Sequence, residues 1–245
     1  MAQHMTKKEL KQDPFLSVYY DDIVEFAQQH YAKLIVAVVV IAAAVVAAVS
    51  WKSYQRRQEL AANAQLGAAL TTFHAYVGSA SPDALGPGAQ TFATAEAKYK
   101  AALKAFSGVA ARYPRQKAGE IALYHAGVCE AFLDRRDAAL KTLRQAASVP
   151  DPEIASLARF ALADELARAG RLPEAKNIFL ALANHPTRTV PSATAWLALA
   201  DAERGTDPAA ARQIYARVSK QMGSDPYLAE ILKEKLAALP AQPGK

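Results

Sequence analysis

Five histidines and one cysteine are the residues of this chain best suited to hold a metal or attack a substrate. His4, His30, His74, His125 and His185 are scattered, none forms an H-E-x-x-H pair, and no second cysteine completes a zinc set. Cys129 lies inside an apolar helical pattern, where a buried, inert thiol is expected rather than a nucleophile. Alone, it forms no intrachain disulfide, so the fold must stand on packing. Gly86-Pro87-Gly88 is glycine-rich but lacks the Lys-Ser/Thr that meets a nucleotide, and no G-x-S-x-G is present. The expectation is a non-enzyme with no cofactor, no metal and no small-molecule substrate.

A different chemistry, that of binding, is suggested by recurrence. Tyr124, Phe160 and Trp196 are spaced 36 residues apart. Facing a groove, they would form a ladder that grips apolar side chains of an extended client, as aromatic anchors do at interfaces. Facing inward, they would be packing, which is the more ordinary fate of a large residue on a helix. Arg168 and Arg204, also 36 apart, fall near the ends of the same helices, where they would either hold client carboxylates or lie on a solvated surface.

These residues need elements that recur with the same period. The stretch "AGRLPEAKNIF", Ala169 to Phe179, holds a small residue followed four positions later by a large one, Ala175 and Phe179. The same pair occurs at Ala102/Phe106, Ala139/Leu143 and Ala211/Tyr215, with the alanines 37, 36 and 36 residues apart. Turn signals precede three of the copies: "DRRD" from Asp134, "AGR" from Ala169 and "RGTDP" from Arg204. Pro114, Pro150 with Pro152, Pro186 and Pro226 close them. A small residue lets two helices approach, and the large one fills the space beside it. Because a helix pair of this kind cannot bury its apolar face alone, the pattern predicts an all-α stack of about four degenerate pairs.

One block stands outside the period. From Leu34 to Val49, "LIVAVVVIAAAVVAAV" has no charged or polar residue, and with its flanks reaches the length that crosses a bilayer. Tyr31 and Trp51, roughly 30 Å apart on a helix, would mark the two interfaces. A buried core helix and a cleaved signal peptide pass a similar test, but the run has almost no polar face, and the region before it is long and acidic. The expected layout is therefore a tail over residues 1–31, a transmembrane helix over 32–51 and a soluble repeat domain over 52–245. Asp13-Pro14 predicts a helix start, and the absence of Gly and Pro from Phe15 to Leu66 predicts one continuous helix through the span. Leu16, Tyr20, Ile23, Ala27 and Tyr31 share a face of its first section, suited to lipid or a partner helix. The "GSASPDALGPG" stretch, Gly78 to Gly88, reads as a loop.

The net charge of +6 is spread without a dense basic run, which argues against nucleic-acid binding. Near the span, Lys33 stands on one side and Lys52, Arg56 and Arg57 on the other. By itself this favours the C-terminal part inside the cell, yet a long translocated domain overrides short flanks, and orientation stays open.

The copies resemble tetratricopeptide repeats, whose second helix carries Ala and then an aromatic four residues later, with Pro at the end. The whole layout, "YAKLIVAVVVIAAAVVAAVSWKSYQ" followed by "AQLGAALTTFHAY" and the repeats, is similar to inner-membrane proteins with a periplasmic tetratricopeptide-like domain. That family includes an ancillary subunit of the bacterial Sec translocon. The resemblance implies a cytoplasmic tail, a periplasmic repeat domain, and protein partners: translocon subunits and secreted or outer-membrane clients.

Overall fold

Alanine, leucine and the long polar side chains make helix the lowest-cost backbone wherever glycine and proline are absent, and helices dominate the chain. The computed structural model describes residues 14–78, 90–222 and 226–239, with side chains outside the description for 14–29, Leu34, Gln221 and Met222. Two units divide the chain, residues 1–58 and 59–245.

The first helix, α1, runs Pro14–Phe73. It is not continuous as expected: His30 has φ −120° and ψ 15°, so two helices meet at a kink. No glycine or proline marks the place, which is why sequence patterning passes over it; the break falls where the tail section meets the apolar run. Of the tail stripe only Tyr31 has a described side chain, and it is exposed; Asp13 lies outside the described residues. From His30 onward α1 is long and apolar enough to cross a membrane, and Ile35 to Val49 are exposed along it.

The second unit begins on the last turns of α1. Ala62, Leu66 and Ala69 form a buried stripe at helical spacing that joins a core with residues of α2 (Ala95–Arg112) and α3 (Lys117–Phe132). Gln65 Nε2 donates to Tyr113 Oη at 3.1 Å across the same seam. Between α1 and α2 an unforeseen pair of two-residue strands, β1 (Tyr76–Val77) and β2 (Thr91–Phe92), runs parallel. Such bridges are too short to leave an alternating pattern in the sequence. The expected loop between them lies, beyond Gly78, outside the described residues.

Then follow α4 (Arg136–Ala146), α5 (Pro152–Arg168), α6 (Leu172–Asn184), α7 (Ser192–Glu203), α8 (Pro208–Met222) and α9 (Pro226–Ala237), each packed against the next from α2 onward. In addition α3 touches α5, and α5 touches α7. Asp151 caps α5 by accepting from Glu153 N at 2.9 Å and Ile154 N at 3.2 Å, with Pro152 at the first helical position. Thr94 and Asp207 cap α2 and α8 in the same way.

The small and large pairs are buried in all four copies. Ala102, Ala139, Ala175 and Ala211 are fully inaccessible, as in effect are Phe106, Leu143, Phe179 and Tyr215. A third position keeps the same step: Val109, Ala146, Leu182 and Val218 are buried too. Two glycines allow closer approach still. A Cβ on Gly119 would sit 1.9 Å from the Tyr113 carbonyl oxygen, and one on Gly127 would sit 2.8 Å from the Leu143 side chain. At the far end Asp201 ties three helices together, accepting from Tyr215 Oη at 2.5 Å and from Lys235 Nζ at 2.7 Å.

Candidate protein-binding surface

Helices α3, α5 and α7 carry the aromatic series, and their burial shows how far the three residues are equivalent. All seven buried residues of α3 (Ala118, Gly119, Glu120, Ala122, Ala126, Gly127, Cys129) have a buried counterpart 36 positions later in α5. From α5 to α7 the step is 37: Ala158, Leu162, Ala163 and Leu166 correspond to Ala195, Leu199, Ala200 and Glu203. Tyr124 and Phe160 therefore match each other, but the residue of α7 in their place is Leu197. Trp196 falls where α5 has the exposed Arg159. Arg204 is displaced from the place of Arg168 by the same single residue.

The cause lies in the turns. After α3, Asp134 takes φ 53°, Asp134 N donates to Ala131 O at 3.0 Å and Arg135 N donates to Glu130 O at 2.9 Å. After α5, Gly170 takes φ 75°, with Gly170 N on Ala167 O at 3.0 Å and Arg171 N on Leu166 O at 2.8 Å. Both are the same left-handed helix cap, 36 residues apart. After α7 no residue turns left-handed, and Thr206 N and Asp207 N both donate to Glu203 O. That turn is one residue shorter: Leu199 precedes Ala211 by 12 positions, whereas Leu162 precedes Ala175 by 13. The connection before α7 takes up the difference, so α4, α6 and α8 keep their spacing of 36.

None of the three aromatics is wholly inside or wholly free. Tyr124 is half-buried against the cluster of Leu140, Leu143 and Leu162, and desolvation raises its phenol above the usual range. Phe160 packs edge-on to Phe179, centroids 5.7 Å apart, and touches a second cluster around Leu182 and Val190. Trp196 packs against three clusters, with the Arg217 guanidinium 5.0 Å from its ring. Each packs against the buried clusters and stays partly open to solvent; among the described residues no ring contact joins the three. Arg168 is bound within its own helix, to Asp164 at 2.7 Å and Glu165 at 3.3 Å. Arg204 is exposed at the end of α7.

Two polar residues escaped the sequence reading although they keep the period. Glu120 and Ser156 occupy equivalent places in α3 and α5, four residues before Tyr124 and Phe160, and Ser192 stands one residue short of that place in α7. Glu120 accepts from Asp151 N at 3.4 Å, Ser156 meets the hydroxyls of Thr187 and Thr189 at 2.7 and 3.1 Å, and Ser192 donates to Ala183 O at 2.8 Å. Glu120 and Ser156 fasten the starts of α3 and α5 to the connections after α4 and α6, and Ser192 fastens the start of α7 to the last turn of α6. Glu153 reinforces the second of these, accepting from Thr189 N at 3.0 Å.

Cys129 is fully buried, and desolvation pushes its thiol up to about 12, so it stays protonated. Among the described residues no group of three or more His, Cys, Asp or Glu is arranged to hold a metal ion. No family model, curated protein or solved structure matches the chain.

Proposed function

We propose that this protein is a membrane-anchored helical-repeat adaptor that holds protein partners at the outer face of the bacterial inner membrane. The observation that carries the reading is the repetition of α3–α4 in α5–α6: the same buried places, the same left-handed turn, and contacts of α3 with α5 and α5 with α7. Stacked helix pairs of this kind, resembling tetratricopeptide repeats, present long surfaces suited to protein ligands rather than to turnover. In this reading the apolar section of α1 spans the bilayer, the tail is cytoplasmic and the repeats are periplasmic. The resemblance narrows the partners to translocon subunits and to secreted or outer-membrane proteins emerging from the Sec translocon.

The second reading is a scaffold or assembly factor of an envelope complex that binds one folded partner. It draws on the partly buried state of Tyr124, Phe160 and Trp196, whose packing leaves little of each ring for an unfolded client. A photocrosslinking residue at the exposed Arg159 or Thr194, in living cells, separates the two. Translocon subunits and many unfolded clients are expected for the adaptor; one stoichiometric product supports the scaffold. No product at either position counts against both. Protease added to spheroplasts tests the topology, and protection of residues 59–245 from it would remove the periplasmic assignment.

A further inference from the structure

A pocket of about 390 Å³ opens between α2, α3 and α4, walled by Ser107 and Ala111 of α2 and Thr142 of α4, and floored by Glu120, Leu123 and Glu130 of α3. Its size is that of a small ligand site and its lining is largely apolar. Glu130 lines it without an ion-pair partner among the described residues, and its Oε2, turned against protein and shut off from water, has no hydrogen-bond partner. A carboxylate oxygen in that condition has lost its hydration without replacement.

The molecule shows elsewhere how the same place is completed. Glu130, Leu166 and Glu203 are equivalent along α3, α5 and α7 by the 36- and 37-residue steps of burial. In α5 the place is apolar and needs nothing. In α7 Glu203 is buried like its leucine counterpart, and Lys176 of the preceding helix reaches it, Nζ to Oε1 at 2.8 Å. The residue of α2 equivalent to Lys176 is Leu103, by the 37- and 36-residue steps that relate Ala102, Ala139 and Ala175. The first copy thus has the carboxylate without the lysine, and a pocket beside it. We infer that this pocket receives a lysine side chain from a bound protein segment, its four-carbon stem along the apolar walls and its ammonium on Glu130. Of the two carboxylates at the floor of the pocket, Glu120 already accepts from Asp151 N, and a flexible stem with a compact charge suits apolar walls that lead to the other, Glu130.

The inference rests on the protein-binding reading and names one chemical determinant of the partner. It is tested on the full chain in detergent micelles, by fluorescence anisotropy of a labelled ten-residue Ala/Ser peptide with one central lysine. The control is the same peptide with acetyl-lysine, which keeps the stem and removes the charge. The lysine peptide is expected to bind at least tenfold more tightly than the control. Glu130→Gln is expected to abolish that ratio, and Ala111→Leu, which narrows the pocket and leaves its charge alone, to weaken the lysine peptide severalfold with the melting temperature kept. Equal binding of the two peptides, binding of neither, or a ratio that survives in Glu130→Gln overturns the inference. Photocrosslinkers at Thr142 and Arg159 then separate its failure from that of the broader reading. Trapping at Thr142 that the lysine peptide competes away is the expected result. Trapping at Arg159 alone removes the pocket and leaves the adaptor; trapping at neither removes both.

Discussion

The α3–α6 segment and the α7–α8 pair are both alanine-rich and both packed helix on successive helix, yet their buried places recur differently. Within α3–α6 every buried residue of the first odd helix recurs at one fixed step, and both turns close on a left-handed residue. In α7–α8 the odd helix has moved by one position, its turn has lost a residue, and a buried Glu203, paired with the exposed Lys176, stands where α5 has a leucine. What survives in both is the contact between an odd helix and the small and large residues of its even partner. The packing places are therefore kept through a change of spacing, in which one connection shortens as another lengthens. Loops accept such exchanges because closing a slightly longer one costs only tenths of a kcal/mol.

The most severe way to test that statement is to empty a conserved packing place. Phe179 is in effect fully buried and contacts Phe160 edge-on. Phe179→Ala is expected to cost about 3–5 kcal/mol, and Phe160→Ala, at a half-exposed place, about half as much. Denaturant titration of the two variants measures this directly. Equal losses would mean that Phe160 belongs to the core in full, and a loss at Phe160 below about 0.5 kcal/mol would return it to the solvent-facing ladder.

A second test separates the first copy from the others by pH. His125 has no counterpart in α5 or α7, where the equivalent residues are Ala161 and Ala198. It stacks on Phe106 at 4.9 Å and meets Phe73 edge-on at 5.3 Å, and its Nδ1 is buried without a partner. Desolvation, and after it the charge of His74, lower its pKa from 6.5 to about 4. Between those values the unfolded chain binds a proton that the folded chain refuses, so stability is whole above pH 6.5 and falls as pH drops toward 4. Allowing for partial exposure, the loss is about 2–3 kcal/mol. Asp151 behaves in the same sense at lower pH: its hydrogen bond to Lys117 and those from Ile154 and Glu153 depress its pKa, and its contribution is lost only on titration through that lowered value. His125→Phe should flatten the melting temperature between pH 6.5 and 4.5. A slope unchanged from the wild type would assign the acid sensitivity elsewhere.

These comparisons also show which features could be read before folding. The Ala and large pairs were legible because a fully buried helix contact restricts side-chain size at both ends, and restricted size leaves a pattern. The apolar run of α1 was legible from composition alone. The equivalence of Trp196 with Tyr124 and Phe160 was misjudged, since constant spacing of even helices hides a compensated shift in the odd helix between them. Glu120 and Ser156 were available to the same counting, but polar residues on a helix do not by type announce that they fasten a connection. The kink at His30 and the two-residue strands follow from local geometry that no residue type marks.

The smallest expected effect is the sharpest test of the turns. Gly170 has φ 75°, which an L side chain adopts with strain, whereas Gly205 has no positive φ and open space where a Cβ would stand. Gly170→Ala should therefore cost about 1 kcal/mol, the price of a left-handed non-glycine residue. Gly205→Ala should stabilise by about 0.4–1 kcal/mol, because alanine restricts the unfolded chain without straining the folded one. Opposite signs from one substitution at two turns would establish that α7–α8 closes by another route than α5–α6. If both variants lose stability by the same amount, the α7 turn uses a left-handed residue in solution, and the one-residue displacement of Trp196 and Arg204 must arise in the connection before α7 alone.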